Sequence, residues 1–297
     1  FVFLISPACT RRDSLLPETD RMVILSTVGM LSDVVARIGE GVVEVIPLMG
    51  EGVDPHDYTP SARDIRLIQQ VDAVFYVGLN LEAGLQRIFE QQAAQGRKII
   101  AVAEKLPPEV LMNDEEGDLD PHVWMDVTLW AQAAEIVLET LIEWQPEHEA
   151  ELRANFSRLQ EDFLALDAEI MERVSAVPEA RRVMITAHDA FSYFGRRYGV
   201  EVLGIQGIST ESEAGLRRIN ELVALILERE IPAVFVESTV ADRNVLALVE
   251  GAKAQGHEVR IGGELFSDAM GTPGTPEGTY VGMMRHNART FVEAMLP

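Results

Sequence analysis

The chain has 297 residues, about twice the usual length of a single domain, so one large domain or two moderate ones are expected. Hydrophobic residues make up 47% and charged residues 25%, which excludes a wholly disordered chain and a polytopic membrane protein. Against 25 Lys and Arg stand 48 Asp and Glu, a net charge of −23; such a surface repels phosphate backbones and attracts cations, so no nucleic-acid partner is expected.

The first residues, FVFLISPAC, form an apolar run too short to cross a bilayer, which takes roughly 20 residues. The run resembles the end of a secretory signal, and Ser6-Pro7-Ala8-Cys9 resembles a bacterial lipobox, although Pro7 is unusual there. On this reading residues 1–20 hold a signal remnant, a lipidation site at Cys9 and a tether; an ordinary leader or a buried thiol is the alternative. The single cysteine excludes a disulfide framework and any cysteine-rich zinc module.

From Arg21 short apolar runs alternate with longer amphipathic ones. RMVILST, VVEVIPLM, VDAVFYVG and RKIIAVA read as strands, and GMLSDVVARIG and LEAGLQRIFEQQ as helices. A helix from Ser61 is expected to take Thr59 as N-cap with Pro60 at its first position, and Asp126 to cap another. Residues 145–177 contain no strand-like run. Leu152, Phe156, Leu159, Phe163, Leu166, Ile170 and Val174 recur there at helical spacing, which predicts one long amphipathic helix. A coiled-coil partner helix would show the same repeat. After Pro178 the alternation resumes: RRVMITAH, VEVLGIQ, PAVFVES and EVRIGG as strands, separated by helices, then a closing helix YVGMMRHNARTFVEAML. The predicted architecture is α/β: two lobes, 21–144 and 178–297, each a mostly parallel sheet covered by helices, joined by one long backbone helix at 145–177.

Six histidines are candidates for chemistry. His56 and His122 each end the tripeptide DPH, whose proline stiffens the loop. His188 ends the strand VMITA, at the carboxyl edge where open α/β sheets place ligands. Asp268 follows the last predicted strand in GGELFSDAMG. Three imidazoles and a carboxylate make a reasonable shell for a borderline divalent metal, but isolated histidines are more often surface or hydrogen-bonded residues. His148, His257 and His286 are read as solvated, turn and helical-surface residues. Glu237, at the end of VFVES, is a ligand or a supporting carboxylate behind one. The acidic loop 113–120 (NDEEGDLD) reads as solvated, with a weak hard-cation site as the alternative. There is no HExxH, no phosphate loop, no GxGxxG after a strand and no GxSxG elbow.

Taken together, GVDPHDYTPSARD, DPHVWMD, AHDAFSYFGRRYGVEVLGIQGISTESEAG, VFVES and SDAMG…GTYVGMMRHN resemble bacterial solute-binding protein family 9, from about Met22 to Leu296. These are zinc- or manganese-binding lipoproteins that feed metal-specific ABC importers. The resemblance implies metal ligands at His56, His122, His188 and Asp268, one bound Zn²⁺ or Mn²⁺ with Fe²⁺ ranking below both, and a rigid helix between the lobes. It also implies a membrane permease as partner, a monomer outside the cytoplasm and no enzymatic activity. Two departures stand out: the acidic loop lacks the histidines that zinc-dedicated members often carry, and His188 stands where many manganese members have Glu. A metallohydrolase on the same ligands, or an adhesin with a structural metal, are the competing readings. A continuous helix between lobes resists wide hinge closure, so small rotations and loop movements are expected on release.

Overall fold

Four short runs rich in β-branched residues build the first sheet: β1 (Met22–Ser26), β2 (Val43–Pro47), β3 (Ala73–Tyr76) and β4 (Lys98–Ala101), all parallel, in the order β2-β1-β3-β4. Ile24 lies opposite Val45 on one side and Ala73 on the other. Every residue of β3 is buried, as a central parallel strand covered on both faces must be. The covering helices are α1 (Gly29–Ile38), α2 (Ala62–Gln70), α3 (Ala83–Ala94) and α4 (Val127–Trp144). The computed structural model describes residues 15–114, 117–211 and 215–296. The lipobox-like segment with Cys9 lies outside the described residues, as do 115 and 116 of the acidic loop. Leu15 and Leu16, within the expected tether, lean on the core, and the Leu15 N–H reaches Gln70 Oε1.

Helix α2 starts later than its sequence suggests. Its N-cap is Ser61, not Thr59, and Pro60 lies outside the helix. Ser61 and Asp64 form a reciprocal capping box, which satisfies two backbone N–H groups where a Thr59 cap would offer one acceptor. Asp126 caps α4, accepting from the N–H groups of Thr128 and Leu129.

The expected 145–177 helix is α5 (Glu149–Ser175), preceded by a separate 3₁₀ turn at Pro146–His148. Gln145 has left helical geometry, and Pro146 has no N–H with which to continue α4. At 27 residues α5 is about 40 Å long. Its buried stripe is Leu152, Leu159, Phe163, Leu166, Ile170 and Val174. Its first half belongs to the N-terminal side: Asn155 donates to the Ile38 and Glu40 carbonyls, and Asp162 pairs with Arg37. Its second half belongs to the C-terminal side, where Asp167 binds Arg197 and Glu169 binds Arg285.

Beyond α5, β5 (Val183–Thr186) pairs with β6 (Glu201–Gly204), and β7 (Ala233–Glu237) with β8 (Arg260–Leu265), both parallel. β5 packs beside β7, but the hydrogen-bonded ladder does not continue between them, so this half holds two two-stranded ladders in place of one sheet. Helices α6 (Ser192–Tyr198), α7 (Leu216–Glu228), α8 (Arg243–Ala254) and α9 (Tyr280–Met295) complete it. No described helix is long and apolar enough to cross a membrane.

The hydrophobic core does not respect the division into halves. One buried cluster runs from β1 and β3 through α4 and α5 to α9, and a second lies between β5, β7 and α7, α8. Where the halves meet, Trp124 Nε1 donates to the Ser267 carbonyl at 2.9 Å, and the Tyr280 hydroxyl donates to the Trp124 carbonyl at 2.7 Å. The rings of Trp130 and Phe163 flank Tyr280. Phe163, at the midpoint of α5, is thus shared by both halves. Phe163→Ala is expected to cost about 3–5 kcal/mol, typical of a fully buried aromatic, measured as denaturant unfolding of the metal-free protein.

Candidate metal centre

Two of the four candidate ligands, His188 and Asp268, lie just past the carboxyl ends of strands, where an open α/β sheet leaves a crevice, and the other two lie on longer loops. His56 is in the loop after β2, His122 just ahead of α4, His188 between β5 and α6, and Asp268 after β8. Local contacts bring these segments together. Gly204 lets β6 approach the backbone beside His188, since a Cβ there would stand 2.6 Å from the Asp189 nitrogen. Asn287 of α9 pairs with both backbone groups of Phe266 and so fixes the strand exit that presents Asp268.

The four side chains converge. Their nearest ligand atoms all lie within 4.8 Å of one another. His122 Nε2 is 3.2 Å from His56 Nε2, 3.4 Å from His188 Nε2 and 3.2 Å from Asp268 Oδ1; Asp268 Oδ2 is 3.2 Å from His188 Nε2. His122, His188 and Asp268 are sealed from solvent, and His56 is 5% exposed. A cleft of about 390 Å³ reaches His56 from outside, past Asn80, Asp118, Pro121 and Ile208.

Supporting carboxylates fix the chemistry of the imidazoles. His122 Nδ1 is 2.7 Å from Asp120 Oδ1, and His188 Nδ1 is 2.5 Å from Glu237 Oε2. An ionised carboxylate can only accept, so each Nδ1 carries a hydrogen and, in the neutral ring, each Nε2 presents a lone pair to the centre. The same carboxylates also accept from the backbone N–H groups of His122 and His188. Asp54 does this for His56 at 2.9 Å. Both oxygens of Asp268 are buried and face only imidazole nitrogens, Oδ1 toward His122 and Oδ2 toward His188. Three imidazole nitrogens and a carboxylate brought this close together in a buried pocket are a donor set suited to a cation.

Glu237 thus lies behind His188 and not at the centre. Asp120 and Asp54 are absent from the sequence-derived candidates although both stand inside the repeated DPH tripeptide. The available signal was the spacing itself: an aspartate two residues ahead of an N–H is an Asx turn. The remaining histidines are elsewhere: His148 lies beside Glu151, and His257 and His286 hydrogen-bond to the carbonyls of Ile231 and Glu264.

Residues 24–294 match the zinc-uptake complex component A periplasmic family. The chain belongs to this family. It is 44% identical over 273 residues to the zinc-binding protein TroA of Treponema pallidum, covering 92% of this chain and 88% of that protein. It is 43% identical over 276 residues to the manganese-binding lipoprotein MntA of Bacillus subtilis, covering 93% and 90%. The solved structure of periplasmic zinc-binding protein TroA from Treponema pallidum superimposes with a TM-score of 0.91 at 43% identity, spanning 93% of this chain and all of that one.

Electrostatics divides the four candidate ligands. Burial lowers His56 to about 3, so its ring stays neutral. For His122 burial pulls down, but the charge and hydrogen bond of Asp120, with Asp268 beyond, outweigh it and lift the group to about 9. Glu237 and Asp268 overcome burial at His188 and raise it well above the ordinary value. Burial would raise Asp268, yet the two imidazoles hold it well below the usual carboxylate range. Protons on His122 and His188 therefore stand where a metal ion would, and a bound cation must displace them. The sign follows: the raised His122 stabilises the metal-free fold fully below about 6.5, and that contribution fades as pH rises through about 9. Metal affinity moves the opposite way. The melting-temperature gap between metal-saturated and metal-free protein is expected to widen from pH 6.5 to 9, measured by calorimetry at fixed free metal.

Proposed function

We propose that this protein captures one divalent transition metal ion, Zn²⁺ or Mn²⁺, between two lobes and delivers it to the membrane permease of an ABC importer. His56, His122, His188 and Asp268 are the ligands, and Glu237 and Asp120 orient the imidazoles that carry the ion. The observation that carries this reading is the convergence of three imidazoles on one buried carboxylate, their ligand atoms all within 4.8 Å of one another. Three nitrogens and one oxygen suit borderline divalent ions, and relatives named for zinc and for manganese stand at 44% and 43% identity. The lobes are residues 21–144 and 178–297, with 145–177 between them. Residues 1–20 precede them as a leader and tether, with Cys9 acylated to hold a monomeric receptor on the outer face of the cytoplasmic membrane.

Carriage is favoured over hydrolysis by the same supporting carboxylates. A hydrolytic metal site keeps a coordination position for water and a base beside it. Here Asp120 and Glu237 each accept from a histidine ring and from the same residue's backbone N–H, and so serve as props for ligands.

Two measurements test this reading. His188→Ala and Asp268→Ala are each expected to weaken Zn²⁺ binding at least about tenfold while the metal-free protein stays folded, since deletion of a ligand removes a metal bond and leaves the scaffold in place; unchanged affinity in both by calorimetric titration would reject the ligand set. In direct competition on the wild-type protein Zn²⁺ is expected to displace Mn²⁺, following the affinity order for nitrogen-rich sites; Mn²⁺ bound in preference would show that the site imposes a geometry that reverses it.

A further inference from the structure

Each DPH turn is tied to the other half of the molecule by a hydroxyl, Thr210 for one and Tyr193 for the other. Asp54 Oδ1 takes the His56 N–H, and Asp54 Oδ2 accepts from Thr210 Oγ1 at 2.6 Å; Thr210 lies in the loop after β6, 156 residues away. Asp120 Oδ1 takes His122, and the Asp120 carbonyl accepts from the hydroxyl of Tyr193, on α6, at 3.0 Å. The Tyr193 oxygen also accepts from the Met112 N–H at 2.9 Å, and Met112 in turn takes the Asp120 N–H, so one phenol closes both strands of the small hairpin that leads into His122. Tyr193 is fully buried, and its hydroxyl meets partners from the N-terminal half at both of these bonds.

The pattern repeats with different atoms. N-terminal loops supply His56 and His122, C-terminal loops supply His188 and Asp268, and each N-terminal turn is pinned by a C-terminal hydroxyl through the aspartate that shapes it. Separating the two ligand pairs must break or stretch these bonds, because they bridge the same seam within two residues of the ligands. The contacts of Trp124 with Ser267 and Tyr280 bridge that seam too, but within the shared hydrophobic core.

We propose that Thr210 and Tyr193 are positioning residues: hydroxyl latches that hold the two DPH turns in register with His188 and Asp268 and thereby set the rate at which the bound ion is released. The inference rests on the metal-receptor reading above and assigns to it two residues that touch no metal. Because a latch acts on the closed arrangement, its loss raises the dissociation rate and leaves the association rate near its starting value.

The test uses the folded full chain loaded with Zn²⁺ and mixed rapidly with an excess of chelator. Thr210→Val and Tyr193→Phe are each expected to speed Zn²⁺ release about tenfold, the scale of one lost hydrogen bond, and the pair together by more than either alone. Thr210→Ser, which keeps the hydroxyl, is expected to release at the wild-type rate. The association rate of Zn²⁺ with Thr210→Val is expected to match the wild type, which separates a latch from a merely structural role, since a distorted site would slow capture as well. Should Tyr193→Phe fail to fold, the Val and Ser variants at Thr210 decide. Release from Thr210→Val within about twofold of wild type, with Zn²⁺ still bound one to one, overturns the latch. A wild-type protein that binds neither Zn²⁺ nor Mn²⁺ overturns the receptor reading, and the latch with it.

Discussion

Two buried carboxylates that would touch no metal decide what the centre can be. By accepting the Nδ1 hydrogens of two imidazoles, Asp120 and Glu237 turn the Nε2 lone pairs of His122 and His188 toward Asp268. Without them either ring could adopt the other tautomer and donate into the pocket, and Asp268 would then be satisfied by hydrogen bonds from neutral rings. With them the pocket is short of positive charge, which protons supply in the metal-free protein and a cation supplies when it binds. The fold serves this arrangement. The loops around the strand ends and ahead of α4 bring the four candidate ligands together, the Asx turns at Asp54 and Asp120 hold two of those loops, and the shared core around Phe163, Trp130 and Tyr280 keeps the two pairs of side chains opposite one another.

Much of this was legible in the sequence because it depends on local rules. Each strand expected from an apolar run is present; seven are trimmed by one or two residues at each end, and the last is displaced, beginning two residues after the expected start and running on to Leu265. The helical repeat from Leu152 to Val174 is the buried stripe of α5. Its start was misplaced because hydrophobic spacing is blind to the 3₁₀ turn at Pro146–His148. The cap of α2 was misplaced because Thr59-Pro60 and Ser61-Asp64 both carry N-terminal signals, and the reciprocal pair satisfies more backbone groups. That β5 and β7 lie side by side without a continuous ladder depends on tertiary placement and has no local signature.

The centre shows the same division. His56, His122, His188 and Asp268 lie in four segments separated by 66, 66 and 80 residues, and only the fold can show that they meet. The repeated DPH offered a hint of common purpose, yet its aspartates are half of that purpose and look like ordinary loop residues when read singly. Thr210 and Tyr193 were less visible still, since a hydroxyl contributes to a seam through a partner more than a hundred residues away in one case and 73 residues away in the other. Charge gave only a general lean, since a net −23 favours a cation over a phosphate without naming one; the donor set of three imidazoles and a carboxylate is what points to a borderline metal.

The central claim is that one ion sits among all four side chains at once. Anomalous X-ray diffraction from crystals of the protein grown with one equivalent of Zn²⁺, collected at the zinc edge, addresses it directly. The account predicts one strong peak about 2.0–2.2 Å from the Nε2 atoms of His56, His122 and His188 and from an oxygen of Asp268, the ordinary range for zinc–nitrogen and zinc–oxygen bonds. A peak held by fewer than these four, or by acidic side chains elsewhere on the surface, would contradict it.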